Sequence, residues 1–277
     1  MEILCLKGGL GNQLFQLVAG LKYVKKKKSK KLTIYAGNLR EFDASRDFML
    51  KPFINNLDIE IVIKYRKNIL LNRYFLKILS MLNLSINNSN YGKKCYANNC
   101  MPINIIDGYF QDIHCFDFSF LDRFRKSLDL EYSKEFNAKE LSSLVNDDII
   151  GLHIRGTDRV CESNFENIYE KVESYLSEDK QIICFTDDNE FAIKTLKQFK
   201  QQVIFISSMG FDDKLEFYIM SKLSRIIISN SNSTYSIFSR LLSENNSETI
   251  ALRNTNGLYE TSLIEILSTV NNVRSVY

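Results

Sequence analysis

Five short apolar runs in the second half of the chain alternate with helical patterns, and this rhythm limits the fold more than any other feature of the sequence. The runs are rich in β-branched residues and span residues 148–155, 181–187, 202–207, 225–230 and 249–253. The segments between them place apolar residues every three or four positions, as amphipathic helices do. Strands that are apolar on both faces are typical of parallel sheets covered by helices on both sides. The second half is therefore predicted to be an α/β domain.

The first half follows a looser version of the same pattern. It opens with the strand "MEILCLK", a glycine-rich turn and a helix to about Lys28, and a second strand, "KLTIYA", follows. Further along come a helical pattern, "NILLNRYFLKILSMLNL", the strand "INIIDGYF", and helices from about Phe116 to Val145. A chain of 277 residues is long enough for two domains of ordinary size. We predict an α/β protein with two Rossmann-like domains, residues 1–140 and 141–277, that face a cleft.

The charge and the cysteine content argue against several classes of protein. A net charge of +3 is too small for a protein that coats nucleic acid. No run approaches the roughly 18 apolar residues of a membrane span, and no charged leader precedes the first strand. The six cysteines form no C-x-x-C pair and are expected to be reduced thiols. These features predict a cytoplasmic protein. No metal site is expected, because the spacing of Cys95, Cys100, His114 and Cys115 does not suit zinc.

A run of six lysines in seven residues, Lys25–Lys31, stands out against this modest net charge. Lysines are favourable at the C-terminal end of a helix, so the run is explained by the solvated end of the first helix. A second interpretation is peripheral contact with anionic lipid or with a lipid-linked substrate, since clustered lysines bind anionic membranes. The sequence leaves both interpretations open.

The stretch "GGLGNQLFQ", residues 8–16, predicts a tight turn between the first strand and the first helix. Glycine supplies backbone conformations that other residues avoid, and it lets a second group approach the backbone closely. The free N–H groups at the start of a helix favour an anionic ligand. We therefore expect Gly9, Gly11, Asn12 and Gln13 to contact a sugar or a diphosphate.

The stretch "GLHIRGTD" places His153, Arg155 and Asp158 at the end of the first strand of the second domain. Ligands of such folds bind beyond the carboxyl ends of the strands. Arginine offers a rigid fork of donors that matches phosphate oxygens and stays charged, so Arg155 is a candidate diphosphate clamp. An ordinary ion pair between Arg155 and Asp158 is the structural alternative.

Two further groups of polar residues follow strands of the same domain. Asp187 and Asp188 could accept hydrogen bonds from a base or a ribose, although a helix cap explains one of the two. Ser231, Asn232, Ser233 and Thr234 begin a helix and carry more hydroxyl groups than one cap requires. Together with the free N–H groups of that helix, they are predicted to bind a diphosphate.

In this order along the chain, five stretches resemble the bacterial α-1,2-fucosyltransferases, glycosyltransferase family 11. They are "GGLGNQLFQ" (8–16), "GYFQ" (108–111), "HIRGTD" (153–158), "FTDD" (185–188) and "SNSTYSIF" (231–238). The resemblance covers almost the whole chain. In addition, "HIRGTDRV" is similar to the α-1,6-fucosyltransferases and "GNQ" to the protein O-fucosyltransferases.

The resemblance implies a GT-B-like fold, GDP-β-L-fucose as the donor, and transfer with inversion that needs no metal or other cofactor. The expected acceptor is a hydroxyl, O2 of a terminal galactose, in a bacterial surface glycan such as an O-antigen. Arg155 matches the first arginine of the family's H-x-R-R-x-D motif, which binds the donor diphosphate. The second arginine of that motif is Gly156 here, a departure for which Arg159 is a candidate replacement.

The implied reaction fits the chemistry of these residues. Departure of GDP places negative charge on the β-phosphate, which an arginine and helix N–H groups would stabilise. Asp158 and Glu166 are both candidates for the general base, and the sequence does not choose between them. Because of Gly156, transfer of a different sugar, or to a different position, stays an alternative. A GDP-sugar or glycan-binding protein without turnover is the other alternative.

Overall fold

A computed structural model describes most of the chain. It covers residues 1–40, 46–66, 71–82, 84–87, 90–91, 103–132, 141, 143–156, 168–177, 179–244, 247–253 and 260–276. The predicted α/β fold with parallel sheets is confirmed. The chain divides into two compact units, Met1–Ser127 and Leu128–Tyr277. The boundary predicted from the sequence lies at residue 140 instead.

The N-terminal unit is built on a parallel sheet with the strand order β3-β2-β1-β4. Its strands are β1 (Glu2–Cys5), β2 (Lys31–Tyr35), β3 (Glu60–Lys64) and β4 (Asn104–Ile106). The helices are α1 (Leu10–Lys26), α2 (Lys51–Ile54), α3 (Arg73–Met81) and α4 (Leu121–Tyr132), and α4 continues into the second unit. Strand β3 is absent from the sequence prediction, and α3 occupies the middle of the predicted helical pattern.

Helices cover both faces of this N-terminal sheet. On one face α1 packs so closely that a Cβ added at Gly20 would lie 3.1 Å from Leu4 and 3.3 Å from Leu32. On the other face Leu71 and Leu76 join a buried cluster with Ile3, Cys5 and Tyr35. Because alternate residues of a strand point to opposite sides, β1 supplies Leu4 to one layer and its neighbours to the other.

The C-terminal unit contains a parallel sheet with the strand order β10-β9-β8-β5-β6-β7. Its strands are β5 (Ile149–Ile154), β6 (Gln181–Thr186), β7 (Val203–Phe205), β8 (Arg225–Ile228), β9 (Glu248–Leu252) and β10 (Asn272–Val276). Its helices are α5 (Ile168–Val172), α6 (Asn189–Thr195), α7 (Asp213–Lys222), α8 (Thr234–Leu241) and α9 (Glu260–Ser268). Five of these strands are predicted from the sequence, and the edge strand β10 is not.

The strand order creates a crevice at one point of this sheet. From β5 the chain adds β6 and β7 on one side, then returns to add β8, β9 and β10 on the other. The connections therefore diverge above the carboxyl ends of β5 and β8, which is where open α/β sheets bind their ligands. The close contact of α7 with β5 leaves no space at Gly151, where a Cβ would lie 2.6 Å from Leu223.

Within the described residues, Cys5 and Cys184 are free and buried, as expected for reduced thiols, and Cys115 is buried as well. Burial raises the pKa of Cys184 to about 12, so this thiol stays protonated at neutral pH. The other three cysteines lie outside the described residues. None of the helices in the described part of the chain is both long and apolar enough to cross a bilayer.

Candidate functional site

The strand register brings the predicted residues of the C-terminal unit together at the carboxyl end of β5. His153 pairs with Phe185 of β6 and with Ile228 of β8. Continuing this register by two residues places Arg155 between Asp187 and Asn230. The N–H of Ser229 donates to the carbonyl oxygen of His153 at 3.0 Å, which holds the end of β8 against β5. The half-buried Arg155 thus lies beside the start of the serine-rich turn.

Asp187 and Asp188 have different partners at the end of β6. The Oδ1 atom of Asp187 accepts a hydrogen bond of 2.7 Å from the N–H of Gly156, across to the neighbouring strand. The Oδ1 atom of Asp188 accepts from the N–H of Phe191 at 3.0 Å and so caps α6. The capping alternative is therefore confirmed for Asp188. Through its bond to Gly156, Asp187 instead stabilises the loop that carries Arg155.

Gly156, which stands where the resembling family has its second arginine, has no room for a side chain. A Cβ at this position would lie 2.7 Å from the Cβ of Asp188 and 3.0 Å from Cδ1 of Phe191. Contacts this short force neighbouring atoms to move, and two of the obstructing atoms belong to the capped start of α6. The packing of this loop against α6 explains why glycine is needed here.

Several buried polar atoms of the serine-rich turn lack partners among the described residues. The Oδ1 atom of Asn230 accepts from the N–H of Asn232 at 2.9 Å, and the N–H of Ser233 donates to the carbonyl oxygen of Asn230 at 3.0 Å. Ser233 is the N-cap of α8, yet its hydroxyl does not cap, and neither its Oγ nor Oδ1 of Asn232 has a hydrogen-bond partner in the described structure. Buried polar atoms are rarely left unpaired, so such a group marks a place for a ligand or ordered water.

His153 is a buried neutral imidazole in this site. Only 7% of the residue is exposed, and its ring stacks on Tyr235 with 6.2 Å between the ring centres. Burial and the neighbouring Arg155 guanidinium lower the pKa of His153 to about 4, although Asp187 acts in the opposite direction. Its Nδ1 atom is a further buried atom without a hydrogen-bond partner in the described part of the chain. At neutral pH, His153 therefore adds a polar group but no charge.

This depressed pKa predicts a pH-dependent stability. The folded state binds fewer protons than the unfolded state between pH 6.5, the ordinary histidine value, and the lowered value of about 4. The free energy of unfolding should therefore fall as the pH drops through this window, and His153→Gln should make the fall shallower. Urea unfolding at a series of pH values measures the difference. His114→Gln, a change at the exposed histidine, is the matched control and should retain the wild-type slope.

Two residues beside this site are absent from the sequence-based set of candidates. The hydroxyl of Tyr235 donates to the carbonyl oxygen of Asp213 at 2.5 Å, which ties α8 to the start of α7. Burial, with the nearby carboxylates of Asp213 and Asp212, raises the pKa of Glu216 to about 7. A carboxyl group that titrates near neutral pH is suited to accept or donate a proton. The acidic stretch "DDKLE" (212–216) is the sequence signal that could have identified Glu216.

In the N-terminal unit, the glycine turn has the predicted strand-to-helix geometry. Gly8 adopts a positive φ of 80°, and a Cβ there would lie 2.6 Å from Nδ2 of Asn12. Gly9 is the N-cap of α1, and a Cβ at Gly9 would meet no atom within 4 Å. Gly11 is buried in the first turn of the helix. The backbone at Gly9 is thus open to a neighbouring group, while the contact of these residues with a ligand stays a prediction.

The polar side chains that follow these glycines hold the turn in place. Gln13 is fully buried, and its Nε2 donates to the carbonyl oxygens of Gly8 at 3.0 Å and Asp47 at 2.9 Å. Its Oε1 accepts from the N–H of Met49 at 3.1 Å. Asn12 Oδ1 accepts from Nε2 of Gln111 at 2.7 Å, which joins the first motif to the "GYFQ" stretch. Gln13 therefore positions the turn, and Asn12 links the ends of β1 and β4.

Three residues named from the sequence lie outside the described residues: Asp158, Arg159 and Glu166. The candidate general bases and the candidate replacement for the second arginine are among them. The described site of the C-terminal unit therefore consists of Arg155, His153, the ends of β6 and β8, and the start of α8.

Comparisons with known proteins place this geometry in context. No family model matches the chain. It is 28% identical over 267 residues to the O-antigen biosynthesis glycosyltransferase WbnK of Escherichia coli, covering 84% of this chain and 87% of that protein. Membership of glycosyltransferase family 11 stays a prediction.

Solved structures with low sequence identity share the fold. Fucosyltransferase NodZ from Bradyrhizobium is similar with a TM-score of 0.60 and 14% identity, over 87% of this chain and 91% of that chain. The NodZ α-1,6-fucosyltransferase co-crystallized with GDP has a TM-score of 0.56 and 14% identity, over 87% and 92%. A glycosyl transferase of family 9 from Veillonella parvula has a TM-score of 0.51 and 14% identity, over 99% and 85%. These similarities confirm the predicted GT-B-like α/β fold.

Proposed function

We propose that this protein is a glycosyltransferase that moves L-fucose from GDP-β-L-fucose to a hydroxyl of a bacterial surface glycan. The observation that carries the proposal is the position of Arg155 just after β5, the strand paired with β8, together with the unpartnered polar atoms of Asn232 and Ser233 in the turn between β8 and α8. The similarity to an O-antigen glycosyltransferase and to the fold of a fucosyltransferase supports it. A cation beside a helix N-terminus is an arrangement suited to a diphosphate.

In the proposed reaction, the donor diphosphate lies between Arg155 and the N-terminus of α8. As the bond between fucose and GDP breaks, negative charge develops on the β-phosphate, and the guanidinium and the backbone N–H groups stabilise it. The neutral His153 leaves the positive charge of the site on Arg155. With these donors in place the reaction needs no metal, and a single displacement inverts the anomeric centre. Asp158 and Glu166 are retained from the sequence as candidate bases for the acceptor proton.

The finer specificity in this proposal is α-1,2 transfer to O2 of a terminal galactose. The acceptor belongs to an O-antigen type of glycan in the cytoplasm, with peripheral membrane contact through Lys25–Lys31. The lack of space for a side chain at Gly156 favours one alternative function, a GDP-sugar transferase that transfers another sugar or forms another linkage. The reason is that one cation of the resembling motif is absent and cannot be restored without moving α6.

Incubation of the full chain with GDP-fucose and a β-galactoside, with and without EDTA, tests the proposed function. We expect release of GDP that requires the acceptor and persists in EDTA, and mass spectrometry of the product gives the linkage. Parallel reactions with GDP-mannose test the alternative function. Binding of GDP-fucose without GDP release from any acceptor would instead indicate a non-catalytic binding protein, and loss of activity in EDTA would contradict metal independence.

A further inference from the structure

The N-terminal sheet has a crevice of its own, at the point where its strand order reverses. From β1 the chain adds β2 and β3 on one side and then returns to add β4 on the other. The connections therefore diverge above the carboxyl ends of β1 and β4, and open parallel sheets bind their ligands at such a point. The residues that directly follow β1 and β4 lie at this crevice.

A partly buried ion pair joins the ends of these two strands. The Nζ atom of Lys7, after β1, lies 3.0 Å from Oδ1 of Asp107, after β4, and the two side chains are only 19% and 13% exposed. The backbone of Lys7 is held by Gln16, whose side chain accepts from its N–H at 3.0 Å and donates to its carbonyl oxygen at 2.9 Å. The ion pair therefore has a defined position at the crevice.

This ion pair supplies hydrogen-bond donors and an acceptor without a net charge. Within the described residues, Oδ2 of Asp107 has no ion-pair or hydrogen-bond partner. The ammonium group of Lys7 has three donors and uses one of them for Oδ1 of Asp107. Because the carboxylate balances the ammonium charge, a diphosphate gains little here. A neutral sugar fits better, since each of its hydroxyl groups both donates and accepts.

An exposed aromatic ring lies beside the ion pair. The Nζ atom of Lys7 lies 5.1 Å from the centre of the Tyr109 ring, and 38% of Tyr109 is exposed. One part of the ring thus contacts a cation, and its exposed part is open to a second partner. The face of an aromatic ring carries partial negative charge and attracts the C–H groups on the less polar face of a pyranose. An aromatic ring with a few placed polar groups is the usual composition of a small-molecule site.

The backbone next to Tyr109 has an unusual conformation. Phe110 has a positive φ of 55°, which residues other than glycine rarely adopt. Its ring is fully buried and packs edge-on against Tyr91, with 5.5 Å between the ring centres. The hydroxyl of Tyr91 donates to the carbonyl oxygen of Ala19 at 2.6 Å, which fixes this contact to α1. Strained residues are held by surrounding packing and are concentrated at binding sites. Here the strain accompanies one buried aromatic residue and an exposed neighbour.

The glycine turn after β1 is tied to the segment that carries Tyr109. The hydrogen bond from Gln111 to Asn12 connects them, only two residues beyond Tyr109. The space at Gly9, where a Cβ would meet no atom within 4 Å, and the exposed ring of Tyr109 therefore belong to segments in direct contact.

We propose that Tyr109, Lys7 and Asp107 form a subsite for one neutral pyranose ring, the terminal sugar of the acceptor glycan. The inference rests on the proposed function for the identity of that glycan. Of the two ligands that the sequence leaves open for this turn, a sugar or a diphosphate, it assigns the sugar. The ring of Tyr109 stacks on the less polar face of the pyranose, Lys7 donates to its hydroxyl groups, and Asp107 accepts from them. Tyr109 determines acceptor binding and takes no part in breaking the donor bond.

Kinetics of the full chain with GDP-fucose and methyl β-galactoside test the subsite. Tyr109→Ala should raise the KM for the galactoside by about tenfold or more, because the stacking surface is lost, and should change kcat and the KM for GDP-fucose by less than about twofold. Tyr109→Leu keeps apolar bulk without an aromatic face and should behave like Tyr109→Ala, whereas Tyr109→Phe should stay close to the wild type. Tyr74→Ala, at a more exposed tyrosine of the same unit, is the matched control and should match the wild type.

A change at Asp107 tests the polar part of the subsite. Asp107→Asn keeps the shape of the side chain but removes the charged acceptor, and it should raise the KM for the galactoside by about tenfold. Asp58→Asn, at an exposed carboxylate paired with Arg123 in the same unit, is its control and should have no effect. An unchanged KM in Asp107→Asn would remove Asp107 from the subsite. Thermal unfolding of each variant shows whether a changed KM reflects lost folding instead.

Binding of the galactoside without the donor separates the subsite from the proposed function. Saturation-transfer NMR detects contact of methyl β-galactoside with the protein and needs no turnover. We expect a signal with the wild type and Tyr109→Phe, and its loss in Tyr109→Ala. A wild-type KM and signal in Tyr109→Ala would overturn the subsite, even for an active enzyme. A raised KM for GDP-fucose alone would assign the ring to the donor and also overturn it. A signal that depends on Tyr109, without GDP release by the wild type, would contradict the proposed function and support a sugar subsite.

Discussion

Replacing Arg155 with alanine should lower the rate of fucose transfer by about a hundredfold to a thousandfold. Arg155 follows the carboxyl end of β5, between the strands that lead to Asp187 and to the serine-rich turn, where the leaving GDP is proposed to develop its charge. Water in place of a fixed donor must reorganise during the reaction, which is why the loss exceeds that of an ordinary hydrogen bond. Initial rates of GDP release at saturating donor and acceptor measure the effect.

The matched control for this variant is Arg274→Ala. Arg274 belongs to the same unit, but it lies on β10 and pairs with Glu248, which begins the neighbouring strand. Its loss should leave the rate within a factor of about two, because β10 is an edge strand that β9 separates from β8 and the candidate site. An unchanged rate in Arg155→Ala would contradict the diphosphate clamp and, with it, the proposed catalytic site.

A companion change at the neighbouring position tests the packing argument. Gly156→Arg should not raise the rate, although it restores the sequence of the resembling motif. Its Cβ would collide with Asp188 and Phe191 at the start of α6. A faster enzyme would show that the loop can move away from α6 and that the second cation is accepted here.

Replacing Arg240 with alanine should lower the free energy of unfolding by about 3–5 kcal/mol. This arginine is fully buried, and burial lowers its pKa to about 9. Its Nη1 donates to the carbonyl oxygens of Met220 at 3.1 Å and Leu223 at 2.8 Å, and its Nε donates to Oγ1 of Thr249 at 3.1 Å. Alanine would leave these acceptors without a donor and open a large cavity between α8, the end of α7 and β9.

Thermal unfolding measures this prediction, with an expected decrease of roughly 10 °C in Tm for Arg240→Ala. Arg240→Met keeps most of the volume and should lose less stability, which separates the cavity from the hydrogen bonds. Arg225→Ala, at a half-buried arginine whose partner Glu248 also pairs with Arg274, should change Tm by only about 1–2 °C. If Arg240→Ala and Arg225→Ala were equally stable, Arg240 would not hold α8 in place. The position of α8 matters for function because its first turn forms part of the candidate site.

The sequence predicts the central strands well but misses two of the four edge strands. Strands such as β5 are apolar on both faces because helices cover both faces of the sheet. In the sequence such a strand is an uninterrupted apolar run, which is easy to recognise. The strands at two sheet edges, β3 ("EIVIK") and β10 ("NVRSV"), are partly exposed and carry charged residues. Their patterns resemble those of loops, and only pairing with β2 and β9 makes them strands.

The candidate site, too, could be predicted from the sequence only in part. Its location follows from sequence, because polar residues after successive parallel strands meet at one edge of the sheet. The roles of Asp187 and Asp188 could not be separated in this way. One caps its own helix, a local contact, whereas the other reaches a residue 31 positions away. The neutral state of His153 and the raised pKa of Glu216 likewise depend on neighbours that are distant in the chain.

By itself, the sequence determined the α/β class, the order of the β and α elements, and the strand ends at which polar side chains collect. These features depend on residue periodicity and on turn chemistry within a few positions. Only the tertiary structure decided that Gly156 has no room for a side chain, that Asn12 is joined to Gln111, and that α3 is apolar on both sides. Each of these depends on which distant segments pack together and which surface they leave exposed, and local pattern does not encode that.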